Sequence, residues 1–372
     1  MGKQTRNLGI DVLRILSILG VVFLHILGHG GILKSSLSPA KFSAVWFLEI
    51  LAYPAVNCFV LISGFVGYKN EATFPKLKNL LSLWFTVIFY SASLFFLFTL
   101  AGPEVFGRRE LVKNLLPAIY KKYWFFSAYL GLFLLSPLLN LLVCKANFRH
   151  TFVFWVVFTL LSIISTIYDT FSMQGGYSLI WFVLLYLLGA TIKKYNVSML
   201  FSKKVWLILA LSAFVITWLS KITLSFSNIP FLKRNSGILT SYVSPTVVVM
   251  AVGLLNWFSG IKCPPSLAPT VSFFASSAFS VYLIHDNIFV RKHFISKISS
   301  LLGDLRPALL ILSIIGTACA IFLACTLIDK IRICLFKAVK IDKLAEQAEK
   351  GIKRLFHGLY AKAKGLAKPE EQ

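Results

Sequence analysis

The chain has 372 residues, of which 57% are apolar and only 14% are charged, whereas about a quarter of the residues in an ordinary soluble domain are charged. This composition excludes a water-soluble globular protein and a disordered chain. Lysine and arginine number 38 against 14 aspartate and glutamate, so the formal net charge is +24. A basic excess can indicate nucleic-acid binding. In a chain as apolar as this one, however, the basic residues are expected in the loops between membrane spans, so we expect no nucleic-acid partner.

The cysteine pattern predicts no metal site. The six cysteines form no CxxC pair and do not stand at zinc-ligand spacing from a histidine. We therefore expect no metal. We also expect no bound cofactor. The first apolar run is too long for a signal peptide and lacks a small-residue cleavage site, so we expect it to be the first membrane span.

Apolar stretches of membrane-crossing length recur along the whole chain. A spanning helix needs about 20 mostly apolar residues, and the sequence predicts an all-α membrane protein with a bundle of about ten transmembrane helices. The sixth stretch is the weakest because it is short. The predicted spans are residues 8–28, 44–66, 80–100, 123–143, 151–168, 178–192, 205–222, 238–257, 270–290 and 308–328.

The distribution of basic residues predicts the orientation. Lys3 and Arg6 precede the first span, and the segment after the tenth is rich in lysine and arginine. Basic residues are retained on the cytoplasmic side of a membrane, and the first span usually dominates. We expect a multi-pass protein of the cytoplasmic membrane, with membrane lipids as partners and both termini in the cytoplasm.

The C-terminal segment has a different pattern from the rest of the chain. We divide the chain into a membrane domain over residues 1–335 and a cytoplasmic basic tail over residues 336–372. From about Lys340, apolar residues recur at steps of three and four, beginning with Ile341 and Leu344, with lysine and arginine between them. This pattern predicts a basic amphipathic helix suited to an anionic membrane surface. A solvated helical tail without a chemical role is the alternative.

Few ionisable residues fall inside the predicted spans, and they are confined to three of the ten. Each costs several kcal/mol unless it is paired or hydrated, so each is a candidate for a functional site. Their concentration predicts one polar cavity. The residues are Asp11, Arg14, His25, Glu49, His285 and Asp286.

Arg14 and His25 are eleven residues apart in the first span. Eleven steps of a helix bring both side chains to one face, separated by about 16 Å along the axis. Asp11 lies three residues before Arg14 and can pair with it. In the alternative interpretation, Arg14 extends to the inner headgroups and Asp11 neutralises it.

His25 and His285 are predicted to lie at similar depth, toward the outer side of the membrane. Glu49 lies near the outer end of the second span. A carboxylate beside an imidazole fixes its tautomer and raises its basicity, as a general base requires, and either Glu49 or Asp286 can supply that carboxylate. The alternatives are a packed structural histidine at position 285 and an interfacial polar cap at position 49.

The predicted cytoplasmic ends of the first two spans and the loop that follows are basic and contain small residues. Ser63 and Gly64 lie near the inner end of the second span, and Lys76 and Lys78 follow in the loop. Together with Arg14, this basic patch would suit a phosphorylated donor that arrives from the cytoplasm. The alternative is the ordinary positive charge of a cytoplasmic loop.

Four segments carry a resemblance to a known family, and they occur in the family's order. They are RNLGIDVLRILSILGVVFLH, with an Arg, ten residues and a His; VNCFVLISGFVGY, with Ser-Gly-Phe; YWFFSAYLGLFLLSPLL, with Trp-Phe and Pro; and SSAFSVYLIH, with Tyr-Leu-x-His. Over residues 6 to about 290, the chain resembles the acyltransferase family 3 membrane proteins, which also have ten spans.

The resemblance implies transfer of an acyl group, usually acetyl, from cytoplasmic acyl-CoA to a hydroxyl group. Acceptors in the family include sugars of bacterial surface polysaccharides and lipid-linked glycans. Carried over to this chain, it implies that Trp124 and Tyr282 bind substrate along with Ser63 and Gly64. One departure is the pair Lys76 and Lys78, where many members have an arginine-containing pair; lysine lacks the bidentate geometry of arginine.

The mechanistic hypothesis gives His25 the role of general base, and Arg14 the role of positioning the donor. Direct transfer and a covalent acyl intermediate both remain open, but Ser63 lies too near the cytoplasm to be nominated as a nucleophile. The main alternative is a transporter or flippase of a lipid-linked sugar, in which buried histidine and glutamate relay protons. Such a protein should show inverted repeats or broken helices at the midplane of the membrane, and no repeat is evident in the sequence.

Overall fold

The structure is a computed structural model that describes residues 6–69, 77–102, 104–105, 107–302 and 305–366. The described residues are mostly helical and contain no strand, which confirms the all-α membrane fold. The helices are α1 (Leu8–Gly28), α2 (Pro39–Ala52), α3 (Pro54–Gly67), α4 (Leu77–Leu100), α5 (Arg108–Leu115), α6 (Trp124–Lys145), α7 (Phe148–Ile167), α8 (Leu179–Lys194), α9 (Lys203–Ser225), α10 (Pro230–Arg234), α11 (Pro245–Ser259), α12 (Ala268–Ala275), α13 (Ala278–His285), α14 (Ile288–His293), α15 (Ile298–Leu302), α16 (Pro307–Ala338) and α17 (Ile341–Leu366).

Eight segments of the described chain are long and apolar enough to cross a membrane. The predicted sixth and eighth spans correspond to the shorter helices α8 and α11, of 16 and 15 residues, so ten is an approximate count. The eight segments are Leu8–Lys34, Pro39–Gly67, Leu77–Leu100, Trp124–Lys145, Phe148–Ile167, Lys203–Ser225, Pro265–His285 and Pro307–Ala338.

Two of the predicted spans are broken rather than continuous. The second divides into α2 and α3 at Pro54, which begins α3 because proline has no N–H to donate within a helix. The ninth divides into α12 and α13 at Ser276 and Ser277, and α14 follows after Asp286 and Asn287. An apolar pattern alone does not reveal such breaks, and both border the cavity described below.

The first span has the predicted bounds, and α1 packs at the centre of the bundle. The Asn7 side chain caps α1 by accepting a hydrogen bond from the Ile10 backbone N–H at 3.3 Å. Helix α1 contacts α2, α3, α11, α12, α13 and α16. Gly20 of α1 packs against Ala55, near the start of α3, and the chain reverses between them, so α3 runs antiparallel to α1.

Helices α3 and α8 approach closely through small residues. A Cβ atom at Gly64 would lie 2.0 Å from the Tyr186 carbonyl oxygen, and one at Gly189 would lie 2.2 Å from the Leu61 carbonyl oxygen. Small residues allow backbones to meet in this way inside membranes. Gly64, predicted to bind substrate, therefore occupies a packing position on this interface.

The last two helices join beside the first part of α4. Helix α16 continues to Ala338, about three turns past the predicted end of the tenth span. Lys340, with φ of 58°, separates it from α17. Helix α17 packs on α4, where Lys78 donates a hydrogen bond to Glu346 at 2.5 Å. The tail predicted from the sequence thus contains a helix that lies against the bundle.

Candidate functional site

A cavity of about 730 Å³ lies inside the helix bundle. Residues of α1, α2, α3, α6, α13 and neighbouring loops form its wall. Its aromatic lining residues are Tyr53, Phe59, Trp124, Phe125, Tyr129, Tyr177, Tyr242, Phe279 and Tyr282. Its charged and polar lining residues are Arg14, His25, His29, Lys34, Glu49, Ser63, Ser276 and Arg291.

Arg14 and His25 line this same cavity from one face of α1. The helical rise separates them by about 16 Å, so the cavity extends along α1 between the two residues. The end of the cavity beside Arg14 is called the Arg14 end. Because α3 runs antiparallel to α1, Ser63 near the end of α3 also lies toward it.

The two predicted histidines are in direct contact. The Nδ1 atom of His25 lies 2.9 Å from the Nε2 atom of His285, and the Nδ1 atom of His285 lies 2.5 Å from the Val281 carbonyl oxygen. A carbonyl oxygen only accepts hydrogen bonds, so Nδ1 of His285 carries the proton and Nε2 is an acceptor. His25 must then donate through Nδ1, which leaves the lone pair of its own Nε2 free.

Asp286 provides the carboxylate beside the His25 imidazole. Its Oδ1 atom lies 3.4 Å from Nδ1 of His25 and 3.4 Å from Nη1 of Arg291. It also lies 3.9 Å from Nε2 of His29. Of the two carboxylates considered from the sequence, Asp286 is the one next to His25.

Glu49 lies in the cavity wall but away from both imidazoles. It is buried, and its Oε2 atom has no hydrogen-bond partner among the described residues. It interacts electrostatically with a group of tyrosines, in which the Tyr53 and Tyr242 rings lie 5.7 Å apart and the Tyr177 and Tyr242 rings 5.2 Å apart. Glu49 therefore belongs to the hydroxyl-rich side of the cavity.

The Arg14 end is organised by Asp11. This buried carboxylate accepts a hydrogen bond from Arg14 at 2.7 Å through Oδ1 and pairs with Arg6 through Oδ2. Asp11 does not line the cavity itself, but it holds the Arg14 guanidinium beside it. Ser63 lines the cavity and donates its hydroxyl hydrogen to the Phe59 carbonyl oxygen at 2.9 Å.

Lys78, one of the two lysines of the predicted donor patch, is not part of this cavity wall. Lys76 lies outside the described residues. Lys78 bonds to Glu346 of α17 instead, and it is not among the lining residues. No pattern in the sequence predicts that the tail packs here, because both partners are charged residues far apart along the chain.

Trp124 and Tyr282 both line the cavity. The Tyr282 hydroxyl is buried and has no hydrogen-bond partner among the described residues. Tyr123, next to Trp124, donates to the Leu283 carbonyl at 3.1 Å and accepts from Asn287 at 2.8 Å. These bonds fix α6 against α13 and the segment that carries Asp286.

Sequence reasoning missed three basic residues of this site, His29, Lys34 and Arg291. Nη1 of Arg291 lies 3.0 Å from Nε2 of His29, and both line the cavity with Lys34. The part of the cavity lined by these three residues is called the Arg291 end. The spacing of His29, four residues after His25, could have revealed it as a neighbour on the same helix face.

Three of these groups have the geometry of a possible metal site. Ligand atoms of His25, His29 and Asp286 lie within 4.8 Å of one another. The Arg291 guanidinium bonds to His29 and stands beside Asp286. A fixed positive charge within this set disfavours a second cation, so we assign no metal to it.

A family model described as an acyltransferase domain matches residues 7–329, which is nearly the whole chain. The chain belongs to this acyltransferase family. The match confirms the resemblance carried by the four segments, and it supports acyltransferase activity rather than transport. We found no significant match to a curated protein or to a solved structure.

A buried ionic cluster lies away from the cavity, at the C-terminal end of the matched region. Asp329 is fully buried, and its Oδ1 atom accepts hydrogen bonds from Tyr90 at 2.8 Å and from Arg332 at 2.8 Å. These contacts join α16 to α4. The predicted tenth span ended one residue before Asp329, so this cluster was not expected inside the bundle.

Proposed function

We propose that this protein transfers an acyl group, most simply acetyl, from acyl-CoA to a hydroxyl group of a cell-surface glycan or lipid-linked sugar. One observation carries the proposal: Arg14 and His25 line a single cavity, and His25 is held through Nδ1 so that Nε2 is free to act as a base. The family match supports the acyl-transfer chemistry.

His25 is the proposed general base. Its side chain is 13% exposed, and this exposure is toward the cavity that it lines. When Nε2 takes a proton, the imidazolium remains hydrogen-bonded through Nδ1 and is stabilised by the Asp286 carboxylate at 3.4 Å. A carboxylate close to a histidine favours its protonated form, which suits a base that must hold a proton during the reaction.

Arg14 is the proposed anchor for the phosphate groups of acyl-CoA. A guanidinium binds phosphate oxygens through paired N–H donors, and Asp11 restrains Arg14 in position. The extended arm of acyl-CoA would span the distance of about 16 Å between Arg14 and His25. The aromatic side chains between them, including Trp124, would exclude water from the thioester.

The reaction conserves atoms and charge without another reagent. His25 Nε2 removes the proton from the acceptor hydroxyl, and the oxygen attacks the thioester carbonyl carbon. The Tyr282 hydroxyl, for which the described residues supply no hydrogen-bond partner, would donate to the oxyanion that forms. The C–S bond then breaks, the ester is released, and the CoA thiolate takes the proton from His25.

The orientation proposed with this function places both termini in the cytoplasm of a bacterial cell. The Arg14 end of the cavity would then face the cytoplasmic pool of acyl-CoA. The His25 region would lie toward the opposite leaflet, where a glycan acceptor is bound. The positive charges before α1 and in α17 support this orientation.

The test uses His25→Ala with His150→Ala as a matched control, because His150 is exposed near the start of α7 and does not line the cavity. Purified protein in lipid nanodiscs is incubated with labelled acetyl-CoA, and thioester cleavage and acceptor labelling are measured. A general base contributes about 10²–10⁴-fold, so His25→Ala should lose at least 10²-fold. A well-folded His25→Ala protein with the wild-type rate would overturn the proposal.

A further inference from the structure

The cavity has positive charge at both of its ends. Arg14 lies at one end, and Lys34 and Arg291 lie at the other, beside His29, whose Nε2 atom accepts a hydrogen bond from Arg291 and so carries no proton. Position 29 is 15 residues beyond position 14, so the two groups are about 22 Å apart along α1. If Arg14 binds the phosphates of the donor, the same donor does not need the second group.

The charges at the Arg291 end exceed the acid available to neutralise them. Asp286 is the carboxylate next to Arg291, and its Oδ1 atom at 3.4 Å is also shared with His25 and His29. Lys34 is exposed on the cavity wall. Among the described residues, no hydrogen bond or ion pair reaches its ammonium group. The Lys34 ammonium, unpaired within the described part of the chain, and the Arg291 guanidinium, which shares its carboxylate with two histidines, together form a site for an anion.

The neighbouring wall offers contacts for a sugar. Glu49 lines the cavity, and its buried Oε2 atom has no hydrogen-bond partner among the described residues. Tyr53, Tyr177 and Tyr242, whose rings pack together, line the same cavity and add aromatic and hydroxyl groups. A carboxyl oxygen without a hydrogen-bond partner is costly to bury, so a ligand that donates a hydroxyl hydrogen to Oε2 would recover that cost. The same cavity therefore offers Lys34 and Arg291 to bind an anionic group and Glu49 to accept a hydrogen bond from a sugar hydroxyl.

We infer that the acceptor is an anionic glycan, whose phosphate or carboxylate group binds Lys34 and Arg291 while its sugar ring contacts Glu49 and the tyrosines. This inference rests on the proposed function, because it assigns the Arg291 end to the acceptor and the Arg14 end to the donor. Arginine holds the anion by paired N–H donors, and lysine adds a point charge.

The experiment measures binding, so it does not depend on turnover. Labelled glucose 1-phosphate and labelled glucose are dialysed against purified protein, with CoA present to occupy the Arg14 end. We expect glucose 1-phosphate to bind at least tenfold more tightly than glucose. Lys34→Glu should remove this preference, and Arg291→Lys should reduce it. Lys297→Glu is the matched control, because Lys297 is an exposed lysine that does not line the cavity.

Competitors distinguish the sources of the anion. Stronger displacement by glucuronic acid assigns the site to a sugar carboxylate, and stronger displacement by geranylgeranyl diphosphate assigns it to a lipid diphosphate; both support an anionic acceptor. Equal binding of glucose and glucose 1-phosphate, or an equal loss in Lys34→Glu and Lys297→Glu, would overturn the inference. Failure of the proposed function shows separately, as unchanged thioester cleavage in His25→Ala.

Discussion

His25 and His285 meet across 260 residues of sequence, with Nδ1 of the first 2.9 Å from Nε2 of the second. The bond between His285 and the Val281 carbonyl directs this contact, because it makes Nε2 of His285 an acceptor. The consequence is a defined tautomer at His25. His285 does not line the cavity, but it thereby sets the tautomer of His25, which does.

Replacing His285 tests this relationship. His285→Phe removes the acceptor while it keeps an aromatic ring in the buried position, so His25 loses the bond that orients it. We expect kcat for thioester cleavage to fall about 10–100-fold, with KM for acyl-CoA within twofold. His285→Gln, whose side-chain oxygen can accept the same bond, should recover part of the rate. Equal rates for the two variants would contradict an orienting role, as would an unchanged pH profile of kcat in His285→Phe.

The donor-binding assignment predicts different effects for two basic residues. Arg14→Gln should raise KM for acetyl-CoA at least tenfold, because a charge-assisted hydrogen bond to phosphate is lost. Lys78→Gln should leave KM within twofold, because Lys78 bonds to Glu346 and does not line the cavity. Steady-state kinetics over a range of acetyl-CoA concentrations decides the matter. A larger increase in Lys78→Gln would restore the loop patch as the donor site.

The interface between α3 and α8 predicts a specific glycine effect. In Gly64→Ala the new Cβ atom would lie 2.0 Å from the Tyr186 carbonyl oxygen, so the two helices must move apart. Overpacking of this kind costs about 1–3 kcal/mol, and the thermal unfolding temperature in detergent should fall. Gly316→Ala is the control, since a Cβ atom at that position meets nothing within 4 Å. An equal effect of the two substitutions would contradict the packing role.

The cluster of Asp329, Arg332 and Tyr90 predicts a change in stability without a direct change in chemistry. Asp329→Ala leaves the Arg332 guanidinium without its buried partner, which typically costs about 3–5 kcal/mol. The unfolding temperature should fall by less in the double variant Asp329→Ala/Arg332→Ala, because the unpaired charge is then removed. Thermal unfolding of the single and double variants measures this coupling. A double variant less stable than Asp329→Ala would refute the explanation.

The sequence predicts much of this fold because its strongest signals are local. Apolar runs locate the helices, and the 3.6-residue period brings Arg14 and His25 to one face of α1. Similar depth in the membrane also made His285 a reasonable neighbour of His25. These predictions need only the rise and the turn of a helix, which do not depend on the packing of the other spans.

Other features depend on tertiary packing and were not accessible from the sequence. The choice between Glu49 and Asp286 as the carboxylate beside His25 requires the break between α13 and α14. The pairing of Lys78 with Glu346 requires α17 to return to α4. Arg291 lines the cavity because the chain turns after Asp286. The sequence does not show this turn, and Arg291 there resembles an ordinary charged residue of a loop.

The central claim is that one cavity brings the donor from Arg14 to His25. The most direct measurement is an experimental structure of the complete protein with a non-hydrolysable acetyl-CoA analogue, in which CH₂ replaces the thioester sulfur. The account predicts that the phosphates lie beside Arg14 and that the acetyl carbonyl lies within about 4 Å of the His25 imidazole, in reach of an acceptor hydroxyl bonded to Nε2. Phosphates bound at Lys34 and Arg291, or an acetyl group outside the cavity, would contradict it.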